Sequence, residues 1–119
     1  MSRSGVNDVS KIFKIMSDET RLKILFTLLN DEKCMCGCGE QHCRSCQTHP
    51  CMIEKCVGDI VNEINESQSL VSHQLIVLRN ANLVRTRKEG QKVYYSLSDA
   101  HVKELLNVAL EHVGELEHE

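Results

Sequence analysis

Apolar residues recur along the chain in two rhythms, and the change from one to the other separates helices from strands. Val9, Ile12, Phe13 and Met16 fall on one helix face, and Ser17-Asp18 supplies a cap before a second run, Leu22, Ile24, Leu25, Leu28 and Leu29. Between Asn30 and Ile53 the rhythm is lost among Cys, Gly, Gln, His and Ser, with the single Pro of the chain at Pro50. This stretch is expected to be an irregular insertion, at about 31–53, in an otherwise helical domain. Ile53, Val57, Ile60, Val61 and Ile64 restore the spacing for a third helix, which stops at Asn65-Glu66.

Ser67 opens a shorter run in which Leu70, Val71, Gln74, Leu75 and Leu78 can share a face, turning Gln68, Ser69, Ser72, His73 and Arg79 elsewhere. The rhythm then changes to that of strands. Leu83 to Lys88 and Lys92 to Leu97 are β-prone runs on either side of Glu89-Gly90-Gln91, which predicts a hairpin. Ser98 or Asp99 caps a last helix at about 99–116, with the stripe Val102, Leu105, Leu106, Ala109, Leu110, Val113 and Leu116. The fold class expected is mainly α with a β-hairpin wing, a winged helix-turn-helix in one domain spanning 1–119.

In that architecture the second helix of the unit enters the major groove and the hairpin lies along phosphates. Gln68, Ser69, Ser72, His73 and Gln74 are short or planar hydrogen-bonding side chains that suit base edges or backbone oxygens. Arg87, Lys88 and Lys92 suit a phosphate clamp. Any one of these residues also fits a solvated polar face, and His73 equally suits a packed, hydrogen-bonded imidazole. Their occurring together, behind a Ser67 cap where a reading helix begins, points to DNA.

Composition then narrows the class. With 119 residues and 41% hydrophobic but only 3% aromatic content, the chain can build one core, and Leu, Ile and Val must fill it. No apolar run approaches a membrane span and the amino terminus lacks a signal-peptide pattern, so a cytoplasmic protein with no membrane partner is expected. The net charge of -3 argues weakly against nucleic acid, but the average hides a division. From His73 to Ser98, Arg79, Arg85, Arg87, Lys88 and Lys92 face Glu89 alone, whereas the tail from Asp99 is rich in Glu. No nucleophile and base pair, phosphate loop or open metal site is apparent, and no enzymatic activity is expected.

The stretch Ser67-Gln-Ser-Leu-Val-Ser-His-Gln-Leu-Ile-Val-Leu-Arg-Asn-Ala-Asn-Leu-Val84, followed by Lys88-Glu-Gly-Gln-Lys-Val-Tyr-Tyr-Ser-Leu97, resembles the ArsR/SmtB metalloregulatory repressors, as does Asp18-Glu-Thr-Arg-Leu-Lys-Ile-Leu25. The resemblance spans nearly the whole chain except residues 31 to 52. It implies a homodimer, joined through its terminal helices, that binds inverted-repeat operator DNA and loses affinity when an effector binds.

The same resemblance carries a metal site to Asp99, His101, His112 and Glu115, where the family's zinc sensors place their ligands. Helical geometry sets the condition under which it could form. His101 and His112 lie within about 20° on one face but about 16 Å apart along the axis, so one helix cannot close the site. Two copies paired antiparallel across a two-fold axis would bring the Asp99/His101 end of one to the His112/Glu115 end of the other. Two imidazoles and two carboxylates suit zinc, with cobalt as a surrogate. A tail crowded with Glu and His also offers such a pattern by chance, and Asp99 fits equally as a helix cap.

The insertion gathers Cys34, Cys36, Cys38, Cys43, Cys46 and Cys51, with Cys56 just beyond it, and Cys43-Arg-Ser-Cys46 has chelating spacing. An odd total of seven Cys and no export signal favour reduced thiols over disulfides. The family's thiolate sensors carry Cys-x-Cys where this chain has Cys56-Val57-Gly58, and residues 1 to 33 hold neither Cys nor His, so that site cannot form in its usual way. Cadmium, lead, zinc or copper(I) would each suit the loop thiols. Two alternatives therefore stand beside a zinc-released repressor: a soft-metal or redox sensor acting through the Cys-rich loop, and a metal-storage or delivery protein that presents it.

Overall fold

A computed structural model of the chain describes residues 3–29 and 54–117, with side chains described over 5–29 and 54–114. Its elements are α1 (Arg3–Met16), α2 (Glu19–Leu29), α3 (Val57–Ile64), α4 (Gln68–Asn80), β1 (Val84–Glu89), β2 (Lys92–Leu97) and α5 (Ala100–Glu117). The expected order of helices and hairpin is present. Cys34, Cys36, Cys38, Cys43, Cys46 and Cys51 lie outside the described residues.

Local chemistry sets each boundary. The Asp18 carboxylate accepts from the Arg21 amide at 3.1 Å and starts α2. The Ser67 hydroxyl, on extended backbone, accepts from the Leu70 amide at 3.2 Å and starts α4. Asn65 ends α3 in the left-handed region at φ 57, and its N–H closes on the Val61 carbonyl at 2.9 Å. Asp99 Oδ1 accepts from the Val102 amide at 3.1 Å, so Asp99 caps α5, while the Ser98 hydroxyl donates to the Asn82 carbonyl.

α3 begins later than its apolar spacing predicts. Lys55 is held in extended form by β2: its N–H donates to the Tyr95 carbonyl at 3.0 Å and its carbonyl accepts from the Tyr95 N–H at 2.7 Å. A backbone whose hydrogen bonds go to a strand cannot join a helix. Cys56 then caps α3, with the Asp59 carboxylate reaching back to its amide at 3.4 Å and its thiol at 3.3 Å. Lys55 Nζ is anchored by the Thr27 carbonyl at 2.9 Å and the Glu63 carboxylate at 2.7 Å.

β1 and β2 pair antiparallel from Val84 opposite Leu97 to Glu89 opposite Lys92. Gly90 turns the hairpin at φ 61, a conformation glycine adopts without a Cβ clash. The core is aliphatic, as the composition requires. Ile24, Leu25 and Leu28 from α2, Ile60 from α3 and Val71, Leu75 and Leu78 from α4 meet Leu83, Val84 and Leu97 of the wing and Val102 and Leu106 of α5. α4 packs on α2, α3 and β1. Val71, Leu75 and Leu78 are wholly buried, and each contributes about 1.5–3 kcal/mol of transfer free energy, so the orientation of α4 is fixed by its core face.

Candidate nucleic-acid interface and metal centre

With that face buried, the opposite arc of α4 is outward. Gln68, Ser69 and His73 are exposed there and Ser72 is half-buried. Ile76, Arg79 and Asn80 continue the exposed arc toward the helix end, and none of the three belonged to the expected reading set. Their signal was present in the sequence as helical spacing from Ser69, Ser72 and His73.

Gln74 lies on another side of the helix. It is half-buried, and its Oε1 accepts from Arg21 Nε at 2.6 Å. Arg21 Nη1 also donates to the Ile15 carbonyl at 3.3 Å. One guanidinium thus joins the end of α1, the first turn of α2 and the middle of α4, and the amide oxygen of Gln74 is committed to this junction.

The wing divides its cations in the same way. Lys88 and Lys92 are exposed and enter no ion pair among the described residues. Arg87 is engaged within the protein. Its Nε donates to both Glu54 oxygens, at 3.1 and 2.8 Å, and its Nη1 to Glu89 at 3.0 Å. Its guanidinium also lies 4.9 Å from the centre of the Tyr94 ring, its cross-strand neighbour. Its hydrogen bonds to the Glu54 carboxylate and then to that of Glu89 raise its pKa above the ordinary arginine value. Glu54 is the residue that leads out of the Cys-rich insertion, and no local pattern marked it as the partner of Arg87.

The candidate ligands at α5 whose side chains are described, Asp99, His101 and His112, are exposed. The His101 side chain is 90% exposed, with Nδ1 3.8 Å from Asp99 Oδ1. His112 is exposed; Glu115 is in the helix, with its side chain outside the described set. The structure brings Asp99 and His101 together and leaves His112 at the other end of α5. Among the described residues of the chain, no three His, Cys, Asp or Glu side chains converge as a metal site. Cys56, half-buried at the α3 cap, faces Asp59.

Apolar side chains accompany these ligands. On α5, Val108, Leu110 and Val113 are 61%, 45% and 51% exposed, and among the described residues the expected stripe joins the core through Val102, Leu105 and Leu106. Val6, Val9 and Phe13 form a second exposed apolar stripe on α1.

A family model described as "Bacterial regulatory protein, arsR family" matches residues 53–86, which hold α3, α4 and the start of β1. The chain is 36% identical over 98% of its length to a cadmium resistance transcriptional regulatory protein CadC homolog of Staphylococcus aureus, covering 78% of that protein. The chain belongs to the arsR family. A transcriptional repressor SmtB homolog of Synechocystis sp. is 30% identical over 97% of this arsR-family chain and 70% of its own length. The solution structure of apo-NmtR superposes with a TM-score of 0.69 at 30% identity, over 97% of this chain and 78% of that one. The winged-helix fold and the family resemblance read from the residues are thereby established, and with them a DNA-binding regulator of transcription. No helix among the described residues is long and apolar enough to cross a membrane.

Proposed function

We propose that this chain is a metal-responsive repressor: a homodimer that binds an inverted-repeat operator through α4 and the wing, and releases it when zinc or a related divalent metal binds between subunits. The single observation carrying the metal reading is the arrangement of α5. Asp99 and His101 stand exposed at one end and His112 at the other, with uncovered Val108, Leu110 and Val113 along the helix. Two such helices running in opposite directions would cover each other's apolar residues and bring the two ligand ends together twice.

The donor set fits the metal. Imidazole and carboxylate together favour zinc, and cobalt as its spectroscopic surrogate, over a strictly thiophilic ion. Asp99 and His101 of one subunit with His112 and Glu115 of the second would hold it, and bound metal would cross-link the two helices. Asp99 caps α5 through Oδ1, and Oδ2 enters no hydrogen bond among the described residues, so ligation need not unwind the helix. α5 packs on β2 and α2, and α2 carries the Arg21 that holds α4 through Gln74. A change in the α5 pair therefore has a packed route to the reading helices. Allosteric coupling of about 1–3 kcal/mol would lower operator affinity from several-fold to more than a hundredfold.

The test is fluorescence anisotropy of a labelled operator duplex titrated with zinc under reducing conditions. Wild type should bind without metal and dissociate on zinc. His112→Ala should bind equally well but stay bound; release of that variant by zinc would exclude the site.

A second reading places sensing in the thiols, with cadmium, lead or copper(I) as effector. It is favoured by the way the chain leaves the insertion, through Glu54 paired with Arg87 and Lys55 paired with Tyr95, directly onto the wing. Cys43→Ser with Cys46→Ser would then abolish release by cadmium and spare release by zinc.

A further inference from the structure

Ile76 is 57% exposed at the centre of the reading helix. The other exposed residues of α4 are Gln68, Ser69, His73, Arg79 and Asn80, all polar. Ile76 takes no part in the core face of Val71, Leu75 and Leu78. Among the described residues the remaining large exposed apolar residues lie on α1 and α5, and α5, not α4, is the element proposed to join two subunits. What covers Ile76 must accept one branched aliphatic group within a ring of hydrogen-bonding and basic side chains.

The major groove has that character. Each base pair presents donors and acceptors, and its apolar feature is the C5 methyl group of thymine. From Gln68 to Ile76 the helix rises about 12 Å, at about 1.5 Å per residue. That matches the groove width of about 12 Å, so a helix entering by its amino-terminal end can place Ile76 against a base edge one turn beyond Ser72 and His73.

We propose that Ile76 is a specificity-determining residue that reads a thymine by packing on its C5 methyl group, in each half-site of the operator. This rests on the DNA-binding reading above and adds the base it selects. A polar arc alone distinguishes bases by hydrogen bonds; Ile76 adds discrimination against cytosine, which offers an amino group and no methyl at the corresponding edge.

The experiment begins with a duplex selected from a randomised library by the full-length protein. Each thymine is then replaced by deoxyuridine, which removes the methyl and keeps the base-pairing pattern. For wild type, one thymine per half-site should show about fourfold weaker binding on losing its methyl, the change expected for one buried methyl group. Ile76→Ala should bind the thymine duplex several-fold more weakly and be insensitive to that replacement, while Ile76→Val retains the sensitivity. The assignment is overturned if no thymine methyl matters, if Ile76→Ala keeps the sensitivity, or if Ile76→Ala acts by changing the oligomeric state. Failure to select any duplex would overturn the DNA-binding reading itself, and this assignment with it.

Discussion

The proposed dimer is expected to bury the exposed α1 stripe beside α5, so truncating Phe13 should dissociate it without unfolding the subunit. Phe13 is 53% exposed in the isolated chain, in a stripe with Val6 at 56% and Val9 at 41%. Burying a Phe side chain completely stabilises by about 1.5–3 kcal/mol, so covering the exposed half contributes on the order of 1 kcal/mol or slightly more. A two-fold interface contains the residue twice, which doubles the loss to about 2–3 kcal/mol. Phe13→Ala should therefore weaken dimerisation by about 30- to 150-fold. Because Phe13 lies outside the core of the chain, far-ultraviolet circular dichroism should not change. Sedimentation equilibrium over a micromolar concentration series reads the dissociation constant, with Ile76→Ala as control, an equally exposed apolar residue on α4. A dissociation constant for Phe13→Ala equal to that of wild type, or a wild-type protein monomeric throughout the series, would refute the reasoning.

Three further outcomes follow from the contacts of the reading unit. Gln74→Ala removes the acceptor of the Arg21 bond and should cost about 1 kcal/mol in urea unfolding while leaving base preference unchanged; altered preference with unchanged stability would mean that Gln74 reads DNA. Lys88→Ala with Lys92→Ala should weaken binding to all duplexes alike and reduce the slope of log affinity against log salt by about 2, one per lost phosphate contact. Glu54→Gln loosens the grip on Arg87 and should steepen that slope by about 1, whereas an unchanged slope would show that Arg87 stays off the phosphates.

Most of the architecture could be read directly because its determinants are local. The Asp18 and Ser67 caps, the Gly90 turn and the aliphatic spacing of α2, α4 and α5 each act within a few residues of the element they define. The departures have distant causes. Apolar spacing from Ile53 to Ile64 fits a helix, but Lys55 pairs with Tyr95, which lies in a strand far along the chain. Gln74 and Arg87 stay candidate DNA contacts by residue type, while their bonds to Arg21 and Glu54 join segments too far apart in the chain for spacing to reveal. The α5 stripe illustrates a different limit: spacing identifies Leu110 and Val113 as apolar positions on a helix, but it does not separate those that face the chain's own core from those left exposed. Ile76 was legible by the same spacing as Ser72 and His73, and only burial of the opposite face shows that it points outward.

Each proposed metal site draws its ligands from two subunits, and complementation tests this most directly. A subunit carrying His101→Ala and one carrying His112→Ala each form homodimers with both sites broken, but a mixed dimer keeps His101 from the second and His112 from the first in one intact site. Measured by cobalt absorption and zinc titration, the separate variants should bind no metal at this site, and the mixture should recover up to one ion per mixed dimer. Binding by either variant alone, or no recovery in mixed dimers whose formation has been verified, would contradict a site shared between subunits.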